Sequence, residues 1–132
     1  MRFSEYEMTT ALTAAVKEVL GTQRRDVRKG RADIEQVWRD MDRFKRYQVL
    51  EAVGSQVLPV LVALPDVEVA AGQSPAFTDD QIRSAVEEGL DEDGGRIRRR
   101  AAVAARVALV RLTLRHLPPR TGADASGPLD SP

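Results

Sequence analysis

The sequence predicts an all-α protein, a four- to five-helix bundle, and three observations carry that expectation. Three segments open on a short polar residue followed three positions later by Glu or Gln: Ser4 and Glu7, Asp33 and Gln36, Thr78 and Gln81. At that spacing the side chains can satisfy free backbone N–H groups of a first helical turn. The long segments repeat their apolar residues at steps of three and four, the period of one helix face. Finally, 132 residues make about one domain, and 42% hydrophobic with 30% charged residues is a globular balance rather than a disordered one.

The first helix opens at Ser4, and Met8, Leu12, Ala15, Val16 and Val19 share its face. Gly21 could end it. Gln23 and Val27 continue the same face, so an extension to Lys29, capped by Gly30, stays open. A second start stands at Asp33. Ile34, Val37, Trp38, Met41 and Phe44 form a strong stripe, which marks Trp38, Met41 and Phe44 as core, and Tyr47, Leu50 and Val53 continue it with a drift. The expectation is one long element from Asp33 to Val53 contacted on two sides, with a break near Asp40–Asp42 as the alternative.

Gly54-Ser55 punctuates the chain. Residues 57–64 are read as a buried helix with Pro59 in its first turn, where the missing N–H costs nothing. A short buried strand is the competing reading, because the run is β-branched and ends at Pro65. Pro65 to Phe77 is the internal linker. Gly72, Ser74 and Pro75 mark it as loop, and its length makes it a candidate functional or mobile segment.

Thr78 opens the next helix, with Asp79 and Asp80 in the first turn, where they suit the helix dipole. Ile82, Ala85, Val86 and Leu90 give it a short apolar face. Asp91 to Gly95 reads as a turn. The last helix runs from Arg96 to Leu117 and stops at Pro118-Pro119. Residues 1–118 are thus one helical domain, and 119–132, rich in Gly, Ser, Pro and Asp, a disordered tail.

The last helix carries more apolar residues than one buried stripe needs. Burial on all sides within a monomer is one outcome. The favoured one is a homodimer, in which Ala101, Ala104, Ala105, Ala108 and Leu112 meet the same helix of a second copy. Small side chains let two backbones approach, and twofold dimers are the commonest oligomers.

A formal net charge of zero hides a segregation. Residues 66–93 hold nine acids against Arg83 alone, and residues 94–123 hold eight arginines and no acid. A basic patch of Arg96, Arg98, Arg99 and Arg100, extended by Arg24, Arg25, Arg28, Lys29 and Arg31, would suit nucleic acid or acidic lipid. The favoured expectation is internal pairing. Glu87, Glu88, Asp91, Glu92 and Asp93 directly precede the arginines, and helices joined by a short turn fold back antiparallel. A free nucleic-acid binder usually has net basic charge and aromatic or amide readers, whereas this chain has six aromatic residues and no asparagine.

Several chemistries lack their residues. There is no cysteine, which excludes disulfides and thiolate sites, and His116 is the only histidine, which makes a His-based triad improbable. His116 lies near a helix C-terminus, a capping position. Asp91-Glu92-Asp93-Gly94 has the start of a calcium loop, but Ala102 stands where the closing Glu is needed. Asp79-Asp80 and Glu87-Glu88 are neighbours in sequence and do not face each other on a helix. No catalytic residue, metal site or cofactor is assigned.

The N-terminus carries early acids and no apolar core, and no apolar run reaches the ~20 residues of a membrane span, so a cytoplasmic location is expected. The excess of arginine over lysine, 17 to 3, fits a GC-rich bacterial genome and has no functional weight. The resulting expectation is a small helical protein that acts through itself and a second protein, without catalysis. The alternatives are a nucleic-acid-associated protein using residues 24–31 and 96–100, and a small-molecule binder with a helix-lined pocket near Trp38.

Overall fold

A computed structural model of the protein describes residues 1–90 and 94–121. Those residues form six α-helices and no strand: α1 Glu5–Gln23, α2 Arg25–Arg28, α3 Ile34–Asp40, α4 Arg43–Ala63, α5 Asp79–Gly89 and α6 Arg96–Arg115. None is long and apolar enough to cross a membrane. α1 packs against α4 and α6, α4 against α5 and α6, and α5 against α6, while α2 and α3 rest on α1.

Two of the three capping signals close fully. Ser4 Oγ accepts from Glu7 N at 3.0 Å while Glu7 Oε1 accepts from Ser4 N at 2.9 Å. Thr78 and Gln81 make the same reciprocal pair at 3.2 and 2.8 Å. The residues before these caps, Phe3 and Phe77, meet with ring centroids 6.5 Å apart. The third signal closes differently: Asp33 accepts from Glu35 N, and Gln36 turns to Asp40 instead.

The core is built by Val57, Val60, Leu61 and Leu64 of α4 and the residue after it, Ile82, Ala85 and Val86 of α5, and Val103 and Val110 of α6. Ala11, Ala15 and Val16 bury the inner face of α1. Residues 57–63 are helical but are no separate helix, and Leu64 caps them in extended backbone. α4 runs through Gly54, Ser55 and Pro59 to Ala63. Gly54 is tolerated inside the helix because α1 comes close there: a Cβ on it would stand 3.2 Å from Leu12 Cδ2. Pro59 points to solvent, so its ring avoids the core.

The count of four to five helices is corrected to six for two reasons. α1 stops at Gln23 and the chain restarts in the single turn of α2, after which Gly30, at φ +73°, reverses it. The expected long element over Asp33–Val53 is broken at Met41–Asp42, where Met41 adopts extended backbone. The break relieves the drift of the apolar stripe by giving α3 and α4 independent axes. It also removes Phe44 from the core, where it is 65% exposed, and leaves Trp38 and Met41 half-buried.

The linker from Pro65 to Phe77 is pinned. Val69 and Pro75 are buried. Ser74 Oγ donates to Leu117 O at 2.9 Å, Gly72 N to Arg120 O at 2.7 Å, and Arg120 N to Gln73 O at 2.8 Å. The fixed chain thus reaches Arg120, beyond the tail boundary expected after residue 118. Residues 122–132, the rest of that tail, lie outside the described residues, as do Asp91–Asp93 of the expected turn.

Candidate functional site

α5 and α6 run antiparallel. Asp79, at the start of α5, meets Arg111 near the end of α6 at 3.1 Å, and Arg99 reaches back to the Glu87 and Leu90 carbonyls at 3.4 Å each. Between them lies an open groove of about 740 Å³. Its rim carries Arg83 and Glu87 from α5 and Arg96, Arg99, Arg100 and Arg111 from α6. Val103 and Val107 form the floor, with Ala104 and Ala108 on the α6 side. The spacing explains the arrangement: residues 96, 100, 103, 107 and 111 recur at four, three, four and four, so one flank of α6 carries arginine at both ends and valine between.

Among the described residues the carboxylate contact from residues 66–90 to α6 is Asp79–Arg111, and both partners are more than half exposed. Arg99 donates to the Leu90 and Glu87 backbone carbonyls. Asp91, Glu92 and Asp93, the other acids assigned to the pairing, lie outside the described residues. Arg98 does not line the groove. Its stem folds over Gly94, at φ +99°, where a Cβ would stand only 3.1 Å from Arg98 Cδ. α6 opens on Gly95 with no side-chain cap, so its first N–H groups sit beside the Arg96–Arg100 cluster.

The second basic run is carried elsewhere. Arg24, Arg25, Arg28, Lys29 and Arg31 are exposed on and after α2, which packs on α1, and Arg24 is paired with Asp26 at 2.9 Å. The hydrogen bond from Arg24 holds the Asp26 carboxyl below its ordinary value against desolvation, with the Val27 N–H and the charge of Arg24 acting in the same direction. The two runs thus belong to different elements, and the groove gathers Arg83 and Arg111 in place of residues 24–31.

The outer face of α6, turned away from the core, carries Ala101, Ala104, Ala105 and Ala108, all exposed, with Leu112 half-buried and Ile97 86% exposed; Ala104 and Ala108 stand at its border with the groove and belong to both. From Ile97 to Leu112 the steps are four, three, one, three and four residues, the same in both directions, with the two large side chains at the ends. This face covers no part of the chain's core.

Trp38 lines neither the groove nor the cleft between α1 and α3, which is bounded by Thr9, Thr13, Lys17, Ile34 and His116. His116 sits at the C-cap of α6, where its Nε2 is 2.6 Å from Glu18 Oε2. Among the described residues no three carboxylate or imidazole side chains converge as metal ligands would. The sequence reading missed a buried pair, Glu7 with Arg120, since nothing local links positions so far apart. The chain matches no family model, no curated protein and no solved structure.

Proposed function

We propose that this protein is a helical interaction module without catalysis, which self-associates through the outer face of α6 and offers a second protein the surface beside it. The observation that supports this reading is the unpartnered apolar face from Ile97 to Leu112. Soluble monomers tend not to leave such a stripe in water. A twofold contact requires a patch that is complementary to itself. An antiparallel pair of α6 helices would set Ile97 of one copy against Leu112 of the other and alanine against alanine between them, where the backbones approach most closely. Sedimentation over a range of concentrations tests it. A mass rising above 14.6 kDa toward twice that value is expected, and a constant 14.6 kDa would refute it.

A second reading rests on the basic clusters. Among the described residues Arg96, Arg98 and Arg100 make no ion pair, which favours an anionic partner such as nucleic acid. Against it stand the segregation of Arg24–Arg31 on another element and an aromatic-free groove. Salt separates the two. Binding to nucleic acid weakens steeply as salt rises. Self-association that brings two arginine-rich helices together strengthens as salt screens their repulsion.

A further inference from the structure

We propose that the α5–α6 groove docks an acidic amphipathic helix of a partner protein, its apolar stripe on Val103 and Val107 and its carboxylates on the arginine rim. This deepens the interaction reading by naming a partner class, and it rests on the flank of α6 that faces α5, which shares only Ala104 and Ala108 with the outer face.

Charge complementarity selects the partner. The rim sets five arginines against Glu87. Arg83, Arg96 and Arg100 have no ion-pair partner among the described residues, so a docked carboxylate displaces nothing at these positions. Arg111 is held by Asp79, which is 72% exposed, and an exposed bridge of that kind exchanges at little cost.

Shape selects the helix. Arg96 and Arg111 are separated along α6 by ~22 Å at a rise of 1.5 Å per residue, with Arg83 on the facing wall. A small anion would use one end and leave the half-buried Val107 uncovered. A nucleic-acid strand would satisfy the charges but finds no aromatic ring to stack on. An acyl chain would stay largely wet in so open a groove, whereas ligand pockets bury most of their ligand. A helix of about 15 residues spans the arginines and lays an i, i+3, i+4, i+7 stripe on the floor.

The test is fluorescence anisotropy with the full chain and a labelled helical peptide of about 15 residues, with leucines at steps of three and four and glutamates in its first and last turns. Saturable binding is expected. It should weaken by about tenfold or more in the double variant Arg83→Glu/Arg100→Glu. Both side chains are exposed, so that variant should melt with the parent. The same peptide with lysine in place of glutamate should bind the double variant better than the parent. The proposal is overturned if the parent does not bind the glutamate peptide, if the double variant binds it undiminished, or if both peptides bind the parent equally. It is also overturned if a DNA duplex binds more tightly than the peptide and loses that binding in the double variant. Sedimentation of the same samples reports self-association separately, so the failure of one reading is distinguishable from that of the other.

Discussion

Arg120 and Glu7, 113 residues apart in the chain, form a buried ion pair that closes the fold. Arg120 Nε donates to Glu7 Oε2 at 2.8 Å and Nη2 to Oε1 at 3.2 Å, with Nη2 also reaching Arg2 O at 3.0 Å. The pair is 5% and 7% exposed. Its backbone is bonded to Gly72 and Gln73, so one residue joins the start of α1, the long linker and the chain leaving α6. Glu7 does two jobs with one carboxylate, as the third residue of its capping box and as the counter-ion of Arg120.

Removing Arg120 should therefore be severe. Arg120→Ala leaves the Glu7 carboxylate buried without its counter-ion, which typically costs ~3–5 kcal/mol. The double variant Glu7→Gln/Arg120→Met removes both charges and should recover part of that loss. Urea melts of the single and double variants check this. Equal stability of Arg120→Ala and the parent would contradict the structural role assigned to the pair.

The same pair predicts an acid-labile component. Burial acts to raise the Glu7 carboxyl, but the hydrogen bonds from Arg120 and Ser4 and the charge of Arg120 outweigh it and hold the group below 4.5. A carboxyl depressed in the folded state adds stability that is fully present above the unfolded value. That stability is lost as pH falls through the folded one. The parent should lose melting temperature below about pH 4.5. Glu7→Gln should start lower and show a flatter decline there, and parallel profiles for the two proteins would count against it.

α4 offers a stabilising substitution. Pro59 lies inside the helix on its solvent side, where it cannot donate to the Ser55 carbonyl. An internal proline costs ~3 kcal/mol relative to alanine, partly offset by the stiffer unfolded chain. Pro59→Ala should thus raise stability by ~1–3 kcal/mol in a thermal melt. Gly54→Val, five residues earlier, should lower it by ~1–3 kcal/mol because its Cβ alone would stand 3.2 Å from Leu12 Cδ2 and its two methyl groups add bulk at that contact.

These sites show what the sequence carries and what it does not. Signals confined to one turn were legible: the boxes at Ser4 and Thr78 and the loop chemistry of Gly72 to Pro75 stand where local spacing put them. The Trp38–Phe44 stripe misled because helical spacing says which residues share a face, but not where a helix breaks. The break at Met41–Asp42 turns Phe44 outward. Gly54 reads as punctuation in one dimension and as a close helix contact in three. The arginines at 96–100 were legible as a cluster, whereas their meeting with Arg83 and Arg111 depends on the antiparallel register of α5 and α6. No local pattern links Glu7 to Arg120.

The outer face of α6 gives the last prediction. Ala105 lies on that face and lines no part of the groove, so Ala105→Glu tests self-association alone. A carboxylate there would be desolvated against the second copy without a partner at the centre of the contact. The mutant should sediment as a monomer at concentrations where the parent is dimeric, and its peptide binding in the groove should persist. The arginines of the two copies oppose the parent's contact, so its dimer should tighten with added salt. Should Ala105→Glu instead unfold the chain, Ala105→Ser offers the milder check: a small polar group on an exposed position that leaves the monomer intact and weakens the dimer. A parent dimer that Ala105→Glu leaves intact, and that loosens with salt, would place the contact on another surface.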